Sequence, residues 1–347
     1  MEPAFPAPVP TWHNDIYPAI DPTNPALSQA GKTVIITGAG TGIGRATALA
    51  FAAAKAKHII LLGRTMSTLK ETLSLIRGAP NASSTKVTIF QASVTDASRI
   101  NDLVALCTKP PPLLSNNMDA IFQEESNNLR EFRAEEVGGE NGSEVATGWD
   151  VLILNAATAG TPQTEPTALS TSIASIHEIF ATNTFPLLTF SAALLPCANV
   201  NPVVFNVTSL GAVVPARLSP RIGLYVASKA AAAKLIEVLA LENPQVFWAS
   251  VHPGVVKTKL FENAGLDAEV LPMDGAELAG GFMVWLAAKT GGFAADGREF
   301  GLKRDLTGRF LCSNWDVEEL EARSGKIGRD ENTVTLAGFP YGQVMKL

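Results

Sequence analysis

The chain has 347 residues, 46% of them hydrophobic and 17% charged, with a formal net charge of −6. That length buries a full core and allows one large α/β domain or two small ones. Three scattered cysteines (Cys107, Cys197, Cys312) and the lack of any basic stripe exclude a disulfide-rich secreted module, a zinc ribbon and a general nucleic-acid binder.

Proline at positions 3, 6, 8, 10, 18, 22 and 25 forbids a long helix in residues 1–30. No basic start leads into an apolar stretch there, so a secretory signal is not expected. This segment reads either as a disordered arm or, through Trp12, Ile16, Tyr17 and Ile20, as an arm docked on the body. No span of eighteen or more consecutive apolar residues is expected to cross a membrane, and a cytoplasmic location is the expectation.

From Gly31 short β-branched runs alternate with longer helical stretches. Strands are predicted at 33–37 (TVIIT), 58–62 (HIILL), 86–91 (KVTIFQ), 150–154 (DVLIL), 203–207 (VVFNV) and 246–251 (VFWASV). Nearly continuous apolar strands separated by helices indicate a parallel sheet covered on both faces. The expected fold is α/β, a doubly wound (Rossmann-like) parallel sheet of about seven strands, in a single domain over 31–347. Residues 108–148 break the rhythm with a Pro triplet and a Gly- and Glu-rich tract, and read as a surface insertion.

Between the first strand and first helix stands Thr37-Gly38-Ala39-Gly40-Thr41-Gly42-Ile43-Gly44, a T-G-x-x-x-G-x-G pattern; G-x-G-x-x-G fails in every register. Glycines let the backbone turn tightly and let a pyrophosphate approach the helix N-terminus, where free N–H groups and the dipole favour negative charge. Gly38, Thr41, Gly42, Ile43 and Gly44 are therefore candidate cofactor contacts. Further on, the second strand ends in Gly63-Arg64-Thr65, with no carboxylate before Glu71. An acid there would hold a ribose 2′-OH, whereas Arg64 suits a 2′-phosphate, so NADP(H) is expected over NAD(H).

Tyr225 and Lys229 open an Ala-rich helical run and lie one turn apart on one face. A phenol is a poor base at neutral pH, and a neighbouring ammonium lowers its pKa, which equips Tyr225 for general acid/base work. His13, His58, His177 and His252 show no metal-ligand spacing, so no metal is expected, and His252 reads as structural.

Together these residues resemble the short-chain dehydrogenase/reductase family over roughly 31–260. The resemblance places the catalytic Ser at Ser209 and the catalytic Asn at Asn183, beside Tyr225 and Lys229. It implies that Tyr225 exchanges a proton with the substrate oxygen and that Ser209 hydrogen-bonds that oxygen. Lys229 would bind the nicotinamide ribose and lower the Tyr225 pKa, and Asn183 would position a relay water. Asn155 and Ala156 correspond to the family's Asn-rich segment, which here departs in two positions, and Pro253, Gly254 and Thr258 would face the nicotinamide. Ser93 stands where an adenine-binding Asp is expected. The resemblance puts a substrate lobe at about 259–290. The stretch 306–327 resembles the tail of a fungal branch associated with secondary metabolism, with Asp316, Glu318, Glu319 and Glu321 expected on a solvated helix face.

The implied activity is hydride transfer between NADP(H) and a ketone or secondary alcohol of an apolar small molecule. A non-redox isomerase or cyclase on the same fold, and an NADP-binding regulator without turnover, are the alternatives. The family often pairs its two long helices, here 168–195 and 225–242, so a homodimer or tetramer is open.

Overall fold

Alternate residues along each strand carry apolar side chains to opposite faces, and here both faces are covered. The computed structural model describes residues 7–79, 84–108, 148–160, 167–219, 221–266, 269, 272–291, 301–330 and 333–336. Its strands are β1 (Thr33–Thr37), β2 (His58–Gly63), β3 (Lys86–Gln91), β4 (Trp149–Leu154), β5 (Ala198–Val207), β6 (Phe247–His252) and β7 (Arg309–Cys312). They form one seven-stranded sheet in the order β3-β2-β1-β4-β5-β6-β7, parallel throughout.

On one face Ile35, Ile60, Leu62, Leu152, Val204 and Trp248 pack against α3 (Ala97–Cys107), α5 (Phe185–Leu194) and α6 (Gly223–Glu242). On the other, Val34, Ile36, Ile59, Val151, Phe205 and Ala249 meet α1 (Gly42–Ala53), α2 (Met66–Gly78), α8 (Ala276–Thr290), α9 (Gly301–Leu306) and α10 (Val317–Arg329). The stretch expected as one helix over 168–195 is two, α4 (Ile173–Asn183) and α5. Pro186 falls in the first turn of α5, where a missing N–H is harmless, and Thr184 marks the break. Ile173–Cys197 is long and apolar enough on average, with mean hydropathy 1.3, to be a candidate membrane span, although polar residues interrupt it. In the fold these helices pack on α3, α6 and the sheet.

Three other regions settle or extend an expectation. Residues 276–290 form one helix, and Phe282, Met283, Trp285 and Leu286 are fully buried in α8, each contributing roughly 1.5–3 kcal/mol of burial. The C-terminal stretch supplies the seventh strand, β7, which has no sequence-level alternation because both its faces are buried. The arm is docked. Trp12, Ile20 and Leu27 are buried, Trp12 pairs with Trp315, and His13 N–H donates to the Asn314 carbonyl (2.7 Å). Ile16 stays exposed.

Docking also takes two acids off the expected solvated face. Asp316 caps α10 and pairs with His13 (2.9 Å), while Glu319 accepts from Thr11 N–H and Oγ1. All three cysteines are free thiols. The insertion at 109–147 lies outside the described residues.

Candidate active site

The strand order reverses between β1 and β4, neighbours in the sheet but far apart in sequence. At such a point the loops leaving the two strands diverge and open a crevice at the carboxyl end of the sheet. Asn155 joins the two loops. Its Nδ2 donates to the Thr37 and Gly38 carbonyls (3.0 and 3.3 Å), while the N–H groups of Asn155 and Ala156 donate to Thr37 Oγ1 (2.9 and 3.0 Å).

This leaves no room for side chains on the turn. A methyl on Gly38, at φ +66°, would lie 2.9 Å from Asn155 Nδ2 and 3.0 Å from the Ala156 Cα; one on Gly44 would collide with the Gly38 carbonyl. Helix α1 opens at Gly42, and the Thr41 side chain caps none of its amides. The N–H groups of Gly42, Ile43 and Gly44 therefore face outward at the positive end of the helix dipole, as an anion site requires. Thr258, after β6, closes the turn from the far side: a methyl on Gly42 would meet its Cγ2 at 2.9 Å. The Thr258 hydroxyl itself caps α7 (Lys259–Asn263), accepting from Phe261 N–H.

At the end of β2, Arg64 is exposed, and no ion pair holds it among the described residues. The nearby Glu71 is taken by Arg45, which forms a two-pronged pair with it (2.9 and 2.7 Å) and also donates to the Gly40 carbonyl. Among the described residues no ion pair links a carboxylate to Arg64. Ser93, after β3, is bonded to Thr95 Oγ1 at 2.8 Å.

The other wall is built at the end of β5. Lys229 is buried and its Nζ donates to the Val207 carbonyl at 2.7 Å; Thr208 Oγ1 donates to the Lys229 carbonyl at 3.5 Å. Ser209 starts a short turn that packs on α6, for a methyl on Gly211 would lie 2.6 Å from Val226 Cγ1 and 3.4 Å from Ser209 Oγ. The turn is held from below by His252, whose Nδ1 accepts the Leu210 N–H at 3.1 Å. Burial pushes that imidazole down to about 3, so it stays neutral and keeps Nδ1 free to accept.

Tyr225 is half-buried, its ring centroid 5.9 Å from Lys229 Nζ, and its hydroxyl has no hydrogen-bond partner among the described residues. Burial pushes the phenol up to about 12 and the Lys229 ammonium down to about 8. The expected lowering of the Tyr225 pKa by Lys229 is thus reversed here, because desolvation acts alone while the ammonium is turned to Val207. Asn183 is brought near but does not touch Tyr225. Its side chain clasps Thr158 at both main-chain groups (2.8 and 2.9 Å) and donates to Ser228 Oγ (2.9 Å), which in turn donates to the Tyr225 carbonyl (2.7 Å).

The sequence model of the short chain dehydrogenase family matches residues 32–114 and 142–269. The chain belongs to the short chain dehydrogenase family. A short chain dehydrogenase/reductase of Claviceps purpurea is 27% identical over 339 residues, covering 96% of this chain and 94% of that one. One of Aspergillus novofumigatus is 27% identical over 342 residues, covering 96% and 97%. Among solved structures, a putative short chain dehydrogenase from Pseudomonas syringae superposes with a TM-score of 0.59 at 22% identity, covering 84% of this chain and 97% of that one. An NADPH-bound carbonyl reductase from chicken fatty liver gives 0.56 at 19%, covering 82% and 97%. As a short chain dehydrogenase, the chain is an oxidoreductase with the family's parallel-sheet fold.

One residue beside the crevice of this dehydrogenase has no signature in the sequence. Pro253 and Gly254 form the turn after β6, with Gly254 at φ +91°, and Asp274 is wrapped around it. Asp274 Oδ2 accepts Val255 N–H (2.6 Å), its own N–H donates to the Val255 carbonyl (2.8 Å), and Oδ1 accepts from Asn14 (2.6 Å) and Asn314 (2.9 Å). Burial raises this carboxyl above the usual range, against those hydrogen bonds. An isolated Asp between two loops gives no pattern to read, and its partners come from both ends of the chain. Among the described residues no cluster of metal-ligating side chains occurs.

Proposed function

We propose that the protein is an NADP(H)-dependent oxidoreductase of the cytoplasm that moves a hydride between the nicotinamide and a ketone or secondary alcohol of a largely apolar small molecule, a secondary metabolite. The observation that carries this reading is Tyr225: a hydroxyl without a partner among the described residues, beside a cleft, one helical turn from a buried lysine. The cradle fits a dinucleotide phosphate, since its glycines have no space for a Cβ and its helix amides are uncapped.

Gly38, Thr41, Gly42, Ile43 and Gly44 would hold the pyrophosphate, Arg64 the 2′-phosphate, Ser93 the adenine side, and Asn155, Ala156, Pro253, Gly254 and Thr258 the nicotinamide half. When bound, the nicotinamide supplies or accepts the hydride. Tyr225 gives its proton to the carbonyl oxygen as charge develops there, and Ser209 donates a hydrogen bond to that same oxygen. Burial keeps this phenol protonated at neutral pH, as a proton donor to the carbonyl must be. Lys229 anchors the ribose side and the Val207 carbonyl. Asn183 acts by holding the Thr158 loop and α6 in register. Exposed Phe185 and Leu188 on α5, with Val238 and Leu241 on α6, support a homodimer through these helices.

The test is steady-state consumption of NADPH and NADH by the purified protein across a panel of bulky and small ketones. Consumption of NADPH with a bulky ketone is expected. Binding of neither cofactor would remove the proposal.

A further inference from the structure

The cleft beside Tyr225 is shallow and open to solvent, with a cavity volume of about 40 Å³, and is lined by Ser175 and Ile179 of α4, the 167–171 segment, and residues 221–225. Two of these groups are unused by the chemistry above. Ser175 is 6% exposed, and its hydroxyl, which makes no hydrogen bond among the described residues, lies on the cleft lining. A hydroxyl in that position is free to bond what enters the cleft. Arg221 stands at the mouth, exposed, at φ +68°, a conformation that costs a side-chain-bearing residue backbone energy. Such strain collects at functional sites. No acidic residue is among the described residues of the lining, and Arg221 has no ion pair among the described residues. A guanidinium and a hydroxyl on the lining of one cleft, with no acidic residue among its described lining, are a donor set without an acceptor there.

We propose that Arg221 and Ser175 form a subsite for a carboxylate, so that the substrate is a ketone carrying an ionised acid group on its otherwise apolar frame. Arg221 donates two parallel N–H bonds to the carboxylate, and Ser175 adds a third donor. With the acid fixed on the Arg221 side, the substrate enters in one orientation and its carbonyl is presented to Tyr225 four residues along the same wall. The assignment deepens the reductase reading and rests on it for turnover, but not for binding.

The experiment uses the full chain saturated with NADPH and a matched pair of probes, benzoylpropionate and its methyl ester. Calorimetry measures their binding and absorbance their reduction. The acid is expected to bind about 10- to 100-fold more tightly than the ester, the range for a charge-assisted hydrogen bond. Both Arg221→Gln and Arg221→Gly should erase that ratio, whereas Ser175→Ala should reduce it by less. The glycine variant also relieves the backbone, so its melting temperature at or above that of the parent shows that loss of preference is not loss of fold. Equal binding of acid and ester, binding of neither, or an acid preference that survives in both Arg221 variants would overturn the subsite. Acid-selective binding without NADPH consumption would uphold the subsite and count against the reductase reading; equal binding with both probes reduced would do the reverse.

Discussion

The two walls of the crevice are held by different means. On the Gly-rich wall the structure is nearly all main chain: Asn155 ties Thr37 and Gly38 to the loop after β4, and glycines keep side chains out. On the opposite wall the turn at Pro253–Gly254 is clamped by one carboxylate, Asp274, which is itself fixed by Asn14 from the arm and Asn314 from beyond β7. The first wall is a run of eight consecutive residues tied at one point to a distant partner, Asn155, on the loop of the neighbouring strand. The second needs three segments about 260 and 40 residues apart, so it exists only once the whole chain has folded. If this crevice is the cofactor site proposed above, its prefabricated Gly-rich wall and its assembled wall should respond differently to substitution.

The largest expected effect lies between the walls. Tyr225→Phe should lower turnover about a hundred- to ten-thousand-fold while NADPH binding, followed by fluorescence, stays near that of the parent. Retained turnover would remove Tyr225 as proton donor. Next comes the assembled wall. Asp274→Ala leaves Val255 N–H and two buried amides without an acceptor, and should cost about 3 kcal/mol or more in urea unfolding together with a higher KM for NADPH. Asp274→Asn should be milder, because the carbonyl oxygens of Asn14 and Asn314 are buried without donors and can accept from the new amide. A stability loss with no change in KM would separate the clamp from the site.

On the prefabricated wall, Arg64→Ala should weaken NADPH by about 10-fold or more and leave NADH nearly unchanged. Gly38→Ala should weaken both alike, since it distorts the turn rather than removing a phosphate partner. Equal losses in the Arg64 variant would put the 2′-phosphate elsewhere. A separate effect is on pH. Burial holds His58 near 4 and His252 near 3, whereas an unfolded histidine titrates near 6.5. The unfolded chain therefore binds more protons below pH 6.5, and stability falls as pH drops toward 4 and 3, by about 1.4 kcal/mol per pH unit for each histidine. Unfolding midpoints at pH 7, 6 and 5 check this, and His58→Asn should remove about half the slope.

The same division decides what could be read from the sequence. Strands β1 to β6 are legible because buried parallel strands are continuous apolar runs, and their predicted ends differ from the observed ones by a few residues, the most at β5. The Gly-rich turn and the Tyr225–Lys229 pair are legible because fixed spacing along one element carries their geometry. Strand β7 was hidden in four residues, RFLC, without alternation. Asp274 was hidden because its partners are distant in sequence, and the docked arm because tryptophan and isoleucine among prolines suit either a loose or a packed segment. The Tyr225 pKa went the other way because proximity on a helix does not say where an ammonium points; Lys229 points at Val207.

Hydride transfer itself is tested most directly with NADPH deuterated at the transferable position. Incubated with the ketone that consumes it fastest, the protein should yield an alcohol bearing one deuterium on the carbinol carbon, and the Tyr225→Phe variant should yield almost none. A product without the label, or one changed in structure at the same oxidation level, would contradict the reductase assignment and leave the fold serving a non-redox reaction.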